Sequence, residues 1–355
     1  MNGVVYIHAR TAANIAPLAN KPFAVDKALI WAIQENDLEK VTALLSDGKN
    51  VNNQDFLGYS PLHYAAKYAQ ASIVACLIEA QASLNQKSAK NGHTPLLLAI
   101  RRGHKKIVSL LLAAGAKPDI VNHQGYNALQ LAVRNDRKDL VQLLLQAGAT
   151  YESGTSPLLM AIKRQNFPIV QLLLQQEEMV ETRDKKGYTE LHWAIRQNVV
   201  AIFRALLKSG RFNVNAQADN GATPLHLIAA NKRSKSKLLK ALLDAPLLEV
   251  NVQDCTGSTP LHYAVATNHL KAVNGLLRYA SIDVNLQNNL GQTPLHYAVQ
   301  CQHVAVVKQL LKRVGKGVFI QNKKEITPLE LAAMHQNNAT IYNLILAHIS
   351  LLGVD

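Results

Sequence analysis

The sequence predicts an all-α solenoid of about ten helix-turn-helix units with short hairpin fingers between them, and three observations predict it. A block similar to Thr-Pro-Leu-His returns nine times at intervals of 29 to 36 residues. A leucine follows the proline position of all nine blocks. Hydrophobic residues make up 48% of the 355 residues but aromatic residues only 5%, so the core must be aliphatic. Such a core suits short helices stacked closely on one another.

We call the position of the proline in this block the proline slot, whatever residue occupies it. The slot falls at Pro61, Pro95, Ala128, Pro157, Glu190, Pro224, Pro260, Pro294 and Pro328. The spacing predicts an N-terminal cap over 26–54, eight repeats over about 55–87, 88–121, 122–152, 153–183, 184–217, 218–253, 254–287 and 288–321, and a C-terminal cap over 322–350. Residues 26–355 are expected to form a single domain, and residues 1–25, which fit no repeat, a poorly ordered N-terminal arm.

The unit around Pro294 shows why this pattern predicts two helices and a turn. Gly291 permits the positive φ of a tight turn, and Thr293 is a good N-cap. Pro294 then stands at the first helical position, where its missing N–H costs nothing. A second apolar stretch with helical spacing follows over 306–311. Each repeat is therefore a helix, a turn, a second helix and a projecting finger.

Three departures from the period predict local changes. Ala128 and Glu190 replace the proline, and both residues can begin a helix, so the fold is expected to continue through them. The 29-residue interval shortens the connection over 148–157, which predicts a clipped finger between repeats three and four. The 36-residue interval enlarges the loop over 231–237 between the two helices of repeat six.

Two hexapeptides, Gly221-Ala222-Thr223-Pro224-Leu225-His226 and Gly257-Ser258-Thr259-Pro260-Leu261-His262, are similar to the opening of the ankyrin repeat. The resemblance covers residues 26–350 and implies an ankyrin-repeat solenoid. In that family the partner usually lies along the concave side, which is formed by the finger tips and the exposed ends of the first helices. The resemblance therefore implies an adaptor or scaffold that binds another protein, and it does not identify that protein.

Enzyme chemistry is not expected. The sequence has no Walker loop, no G-x-S-x-G, no H-E-x-x-H and no paired-cysteine metal site. The resemblance implies that five of the thirteen histidines bond the turns of adjacent repeats; we call them the slot histidines, and they are His63, His192, His226, His262 and His296. We therefore expect no catalytic residue, no cofactor and no metal.

Composition bounds the location and the partner. The net charge of +14 favours an acidic partner, which is an acidic protein face, a nucleic acid or an anionic lipid. Three widely spaced cysteines are expected to be free thiols in a reducing compartment. No apolar run reaches 18 residues and no export signal is evident, so a cytoplasmic monomer is expected. The polar composition also resembles ankyrin effectors that intracellular bacteria deliver into host cells, which is the alternative for function and location.

A basic stripe is the sharper hypothesis. The positions six and seven residues after the proline slot form the exposed end of each first helix, and we call them the inner rung. Five successive rungs carry a cation and the next four carry none. Finger residues add cations and aromatic rings nearby. The predicted partner-binding residues are Lys67, Tyr68, Arg101, Arg102, Arg134, Lys163, Arg164 and Arg196 on the rungs, with Lys90, Lys185, Lys186, Tyr59, Tyr126 and Tyr188 on the fingers.

Several interpretations of the charged and polar motifs stay open. The rung cations are either ordinary solubilising residues or a surface for an acidic protein, with nucleic acid or anionic lipid as less favoured ligands. The basic run over 232–237 is a solvated loop, an import signal or a lipid contact. Asn251 and Asn285 resemble ankyrin asparagines that an oxygenase hydroxylates, and the alternative is that each is a turn asparagine that bonds its own backbone.

Overall fold

The computed structural model describes residues 26–68, 70–150, 155–176, 181–232, 236–334 and 339–353. Within these ranges the chain forms twenty α-helices and no strand, and the helices follow one another as ten pairs. The predicted all-α repeat fold is confirmed. The chain divides into two compact units, Met1–Gly154 and Thr155–Asp355, called unit 1 and unit 2. The predicted arm over 1–25 lies outside the described residues, and the single-domain expectation stays a prediction.

Unit 1 holds four helix pairs. Its helices are α1 (Lys27–Gln34), α2 (Leu38–Ser46), α3 (Pro61–Tyr68), α4 (Ala71–Glu79), α5 (Pro95–Arg102), α6 (Lys105–Ala113), α7 (Ala128–Arg134) and α8 (Lys138–Gln146). The odd-numbered helices are the first helices of their repeats and pack side by side in order, and the even-numbered second helices form a parallel layer behind them.

Unit 2 holds six pairs with the same arrangement. Its helices are α9 (Pro157–Lys163), α10 (Phe167–Leu174), α11 (Glu190–Arg196), α12 (Val200–Ser209), α13 (Pro224–Ala230), α14 (Ser236–Leu243), α15 (Pro260–Ala266), α16 (Leu270–Leu276), α17 (Pro294–Gln300), α18 (Val304–Val314), α19 (Pro328–Met334) and α20 (Ala339–Leu351). A 3-10 turn, Gly315–Phe319, follows α18.

Polar side chains start the first helices as the sequence predicts. The hydroxyl of Thr293 accepts the N–H of His296, and Pro294 stands at the first helical position. Where proline is missing, the start is preserved by other bonds. Asn127 and Gln130 cap α7 reciprocally, so Ala128 begins a helix without a proline. Helix α11 likewise begins at Glu190, behind the cap residue Thr189.

The core is aliphatic and follows the repeat. The leucine after the proline slot is at most 1% exposed in eight of the nine blocks, from Leu62 to Leu295. Leu329 in the last block is half-buried. Its helix, α19, is the final one in the layer of first helices in unit 2, so no further first helix covers it. Burying one such leucine contributes about 1.5–3 kcal/mol. Alanines one turn later, such as Ala65 and Ala264, are fully buried and let adjacent helices approach closely.

The fingers are tight turns that bond to one another along the chain. In the finger before α13, the N–H of Gly221 donates to the carbonyl oxygen of Ala218. The N–H of Cys255 in the next finger donates to the carbonyl oxygen of Asn220 at 3.0 Å. Gly221 has φ +76°, and a Cβ on it would lie 2.7 Å from the nitrogen of Cys255. Glycine is therefore required both for the turn and for the approach of the next finger.

The slot histidines form a second set of bonds between repeats. The backbone N–H of Thr223 donates to Nδ1 of His226 at 3.0 Å, so Nε2 carries the ring proton. That Nε2–H donates to the carbonyl oxygen of Ser258 in the next repeat, also at 3.0 Å. The other four make the same bond to the residue two positions before the next proline slot, namely His93, Ala222, Gln292 and Ile326. The structural role implied by the resemblance is thus present at each slot histidine.

Two predicted departures fall partly outside the described residues. The connection predicted to be a clipped finger includes residues 151–154, and the enlarged loop of repeat six includes residues 233–235; neither segment is described. Helix α13 ends at Ala230 and α14 begins at Ser236, so the extra residues do lie between the two helices of one repeat.

Candidate partner-binding surface

The predicted rung residues of both units lie at the C-terminal ends of first helices. Lys67 and Tyr68 end α3, Arg101 and Arg102 end α5, and Arg134 ends α7 in unit 1. In unit 2, Lys163 ends α9, Arg164 caps it, and Arg196 ends α11. Lys67 and Lys163 are half-buried and the other rung cations are exposed. A cation at a helix C-terminus also interacts favourably with the helix dipole, so this placement stabilises the helices as well as charging the surface.

Arg101 and Arg102 are available to a ligand on the rung of repeat two. Both side chains are exposed, and neither forms an ion pair or hydrogen bond with a residue that the structure describes. Gly103 ends α5 at φ +80°, and its missing side chain leaves room for Arg137 from the next repeat. A Cβ on Gly103 would lie 2.9 Å from Cζ of Arg137. A third guanidinium therefore lies against the end of the same helix.

Other rung cations of unit 1 are held on aromatic rings. Cζ of Arg134 lies 4.7 Å from the ring centroid of Tyr126, and its guanidinium donates to the side-chain oxygen of Gln124 at 3.1 Å. Nζ of Lys67 lies 5.0 Å from the ring centroid of Tyr68. Cation–π contacts of this kind contribute about 0.5–1 kcal/mol at exposed sites. They fix the direction of these charges, and they show that rung and finger residues meet.

In unit 2, two rung cations share one indole ring. Nζ of Lys163 lies 4.2 Å from the ring centroid of Trp193, and Cζ of Arg196 lies 5.0 Å from it. The indole N–H donates to a carboxylate oxygen of Asp184 at 2.9 Å, and the same oxygen lies 3.8 Å from Nζ of Lys163. Arg196 also lies 5.1 Å from the ring of Tyr188. Part of the positive charge of this rung is therefore balanced by Asp184.

The finger residues named from the sequence separate into two groups. Lys90, Lys185 and Lys186 are exposed on the turns. The tyrosines are half-buried at the bases of the fingers and pack against the slot histidines or against rung cations. The ring of Tyr59 meets His63 edge-on at 5.6 Å, and the ring of Tyr188 lies 5.4 Å from His192. The lysines are available to a ligand, and the tyrosines chiefly position their neighbours.

Sequence reasoning missed Arg137, Tyr64 and Trp193. The last two stand three residues after the proline slot, where Tyr263 and Tyr297 also stand. In three repeats this ring bonds the acidic residue of its own finger: Tyr64 to Asp55, Trp193 to Asp184 and Tyr263 to Asp254. The recurrence of an aromatic residue three positions after the proline slot could therefore have predicted a row of aromatic rings on the first helices. No sequence pattern indicated the role of Arg137, because the position of its side chain depends on the missing side chain of Gly103.

Burial sets the protonation of the buried polar groups. It lowers the pKa of all five slot histidines, to about 4 for His63, His192 and His262. Burial also raises the pKa of Glu190 to about 6, although Thr182 donates two hydrogen bonds to its carboxylate. Both effects come from packing, and each group is fully engaged in bonds of the fold. Among the described residues, no cluster of three His, Cys, Asp or Glu side chains is arranged to hold a metal.

A family model described as ankyrin repeats in three copies matches residues 13–88, 79–154, 148–218, 211–288 and 277–352. The chain belongs to the ankyrin-repeat family. Ankyrin repeats generally mediate protein–protein interactions, and their fold is typically non-enzymatic. In the part of this ankyrin-repeat protein that the structure describes, no helix is long and apolar enough to cross a membrane.

Several curated relatives share the repeats within longer chains. The bovine (Bos taurus) Ankyrin repeat and SOCS box protein 2 is 38% identical over 94 residues, which is 26% of this chain and 15% of the relative. The human (Homo sapiens) Palmitoyltransferase ZDHHC13 is 35% identical over 210 residues, 58% of this chain and 34% of the relative. The Drosophila melanogaster Tyrosine-protein kinase Shark is 38% identical over 91 residues, 26% of this chain and 10% of the relative. This ankyrin-repeat chain thus spans about a third or less of each relative, and the activities in their names belong to those proteins.

The side chains of the two candidate modification residues of this ankyrin-repeat protein bond the following repeat. The side-chain amide of Asn251 donates to the carbonyl oxygen of Ser281, and its oxygen accepts the N–H of Asp283. The amide of Asn285 donates to the carbonyl oxygen of Val314 at 3.2 Å. These side-chain bonds go to the following repeat and not to the residues' own turns, and hydroxylation at either residue stays a prediction. Of the basic run over 232–237, the described residues Lys232, Ser236 and Lys237 are exposed.

Proposed function

We propose that this ankyrin-repeat protein is a non-catalytic adaptor whose basic rungs hold an acidic protein partner. The observation that supports this proposal is the group of arginines at the C-terminal end of α5. Arg101 and Arg102 are exposed there without an ion-pairing carboxylate among the described residues, and Arg137 lies against Gly103 beside them. Guanidinium groups bind carboxylates with two parallel hydrogen bonds, which suits an Asp- or Glu-rich surface.

The aromatic contacts support a protein ligand over a nucleic acid. Stacking on bases needs ring faces that are open to the ligand. Tyr126, Tyr188 and Trp193 instead lie under Arg134, Arg196 and Lys163. Arginine and tyrosine held in fixed positions are typical of protein–protein interfaces. The cations of unit 2 contribute less, because Asp184 balances Lys163.

The test compares two double variants of repeat two. Arg101→Gln with Arg102→Gln removes two charges from the end of the first helix. Lys105→Gln with Lys106→Gln removes two charges from the exposed start of the second helix and is the matched control. Lysate is passed over each protein with and without nuclease treatment, and the retained proteins are identified and titrated back in purified form. Thermal unfolding verifies that both variants fold.

The proposal expects an acidic protein that the wild type and the control retain and that the arginine variant binds at least about tenfold more weakly. Its affinity should fall as salt rises. A partner that nuclease removes would favour nucleic acid instead. Equal binding by both double variants would show that the end of α5 is not the interface.

A further inference from the structure

A second basic feature lies on the opposite helix layer, in unit 2. Helices α12, α14 and α16, all second helices, enclose a cleft of about 860 Å³. This volume is typical of small-ligand sites. We call it the outer cleft and define it by its five cations, Arg204, Lys237, Lys240, Lys271 and Arg278. It shares no residue with the rungs and fingers of the proposed partner surface.

Helical spacing directs the cations into this cleft. Leu238, Leu239 and Leu242 face the core from α14, so Lys237 and Lys240 must lie on the opposite face. On α16 the buried face is Ala272, Val273 and Leu276, which leaves Lys271 and Asn274 outward, and Arg278 follows one turn later. Charges from three repeats therefore converge on one concave surface.

The floor of the outer cleft is fixed by a close helix contact. Gly275 has no side chain, and a Cβ there would lie 2.6 Å from Cδ1 of Leu243. The hydroxyl of Tyr279 donates to the carbonyl oxygen of Leu243. The end of α14 and the end of α16 are thus held together beneath the lysines. The cleft is formed before any ligand arrives, which lowers the entropy that binding must overcome.

The charge of the outer cleft is unbalanced. Asp244 is the one acidic residue among its lining residues, against five cations. None of the five forms an ion pair with a carboxylate in the described part of the chain. Like charges on a concave surface repel one another and concentrate anions there. A single phosphate would reach only some of these groups, whereas clustered phosphates can meet cations from all three helices.

We propose that the outer cleft binds a small ligand that carries several phosphate groups, of the inositol polyphosphate class, either free or as a lipid headgroup. Tyr279 is the one aromatic residue among the lining residues, and its hydroxyl is bonded to the carbonyl oxygen of Leu243. The recognition is by phosphate charge and spacing. Lysine and arginine together suit this, because lysine supplies a point charge and arginine a bidentate contact.

The test uses two triple variants of equal net charge. The cleft variant carries Lys240→Gln, Lys271→Gln and Arg278→Gln. The control carries Lys308→Gln, Lys323→Gln and Lys324→Gln, which are exposed lysines of unit 2 outside the cleft. Calorimetry with inositol hexakisphosphate measures the free ligand. Sedimentation with phosphatidylcholine vesicles containing phosphatidylinositol bisphosphate measures the headgroup, and vesicles of equal charge made with phosphatidylserine test for nonspecific attraction.

The wild type and the control should bind alike, and the cleft variant on the order of 100-fold more weakly. Binding of free inositol hexakisphosphate would indicate a soluble ligand, and binding of the phosphoinositide vesicles alone a membrane headgroup. The inference is wrong if the wild type binds neither probe, if both triple variants weaken equally, or if phosphatidylserine vesicles bind as well. The Arg101→Gln, Arg102→Gln protein should keep full binding here, so this result and the partner test are independent.

Discussion

Nε2 of His226 lies 3.0 Å from the carbonyl oxygen of Ser258, and the two residues belong to successive repeats. The ring reaches this oxygen because Thr223, the N-cap of the same helix, donates its backbone N–H to Nδ1. One neutral imidazole therefore joins the start of α13 to the finger before α15. The bond couples the folding of one repeat to that of the next.

Replacing His226 by Ala should destabilise unit 2 by about 1–3 kcal/mol, because the N–H of Thr223 is left buried without its partner and the carbonyl oxygen of Ser258 keeps only the N–H of Asp254. His226→Gln should lose much less. Gln130 occupies the same position in repeat three, where its side-chain oxygen accepts the N–H of Asn127 at 2.9 Å. Urea unfolding of the two variants measures the difference, and equal losses would mean that ring volume rather than hydrogen bonding matters.

Acidification should destabilise the protein from about pH 6.5 downward through its slot histidines. Burial lowers the pKa of the slot histidines, to about 4 in three of them, whereas the ordinary pKa of a histidine in the unfolded chain is 6.5. Between these pH values the unfolded state binds more protons than the folded state. The free energy of unfolding is therefore highest above about pH 6.5 and falls as the pH drops toward 4. Each of these three histidines contributes up to about 1.4 kcal/mol per pH unit in this window. Urea midpoints at pH 7.5 and pH 5 that agree would contradict this.

Glu190→Gln should stabilise unit 2 at pH 7.5. Burial raises the pKa of Glu190 to about 6 from 4.5, so its ionised form is disfavoured in the folded state. The carboxylate accepts bonds from the N–H and hydroxyl of Thr182, and a glutamine oxygen can accept both. A shift of this size corresponds to about 1–2 kcal/mol. The gain over the wild type should shrink as pH falls through 6 and vanish only well below pH 4.5, where Glu190 is protonated in both the folded and the unfolded state; a gain that does not depend on pH would have another origin.

Gly221→Ala should be more damaging than Gly210→Ala. Both glycines have positive φ, +76° and +67°, so both substitutions incur roughly 1–2 kcal/mol of backbone strain. Only at Gly221 would the new Cβ meet backbone of the next finger, 2.7 Å from the nitrogen of Cys255. The difference between the two urea midpoints isolates the finger contact. Equal midpoints would show that the fingers can separate without loss.

The fold was predictable because the same pattern of helix-starting residues occurs nine times in the sequence. Each proline slot combines an N-cap, a helix start and a buried leucine, so an individual exception such as Glu190 does not obscure the pattern. The ends of the first helices also followed from the register, and with them the position of Arg101 and Arg102.

The side-chain contacts of the candidate sites could not be predicted from the sequence, because they depend on how neighbouring repeats stack on one another. Trp193 lies between Lys163 and Arg196 because residues thirty positions apart are brought to one surface by stacking. Arg137 is placed by the absence of a side chain at Gly103. The outer cleft exists because Gly275 meets Leu243, whereas the sequence alone shows only scattered lysines on helices far apart in the chain.

The bonds between fingers also bear on how such a chain evolves. Six of the described fingers each donate one N–H to the finger before them, and the donors follow their acceptors at nearly one repeat length, as in Asp219 to Lys186 and Asn289 to Thr256. Unequal crossing-over that removes or duplicates a whole unit would rejoin a matching donor and acceptor at the new junction. A deletion of any other length within a finger would leave them out of phase, whereas extra residues between the two helices of a repeat, as between α13 and α14, leave the bond from Cys255 to Asn220 intact. Length variation among descendants of this gene should therefore come in whole repeats or lie between the two helices of a repeat.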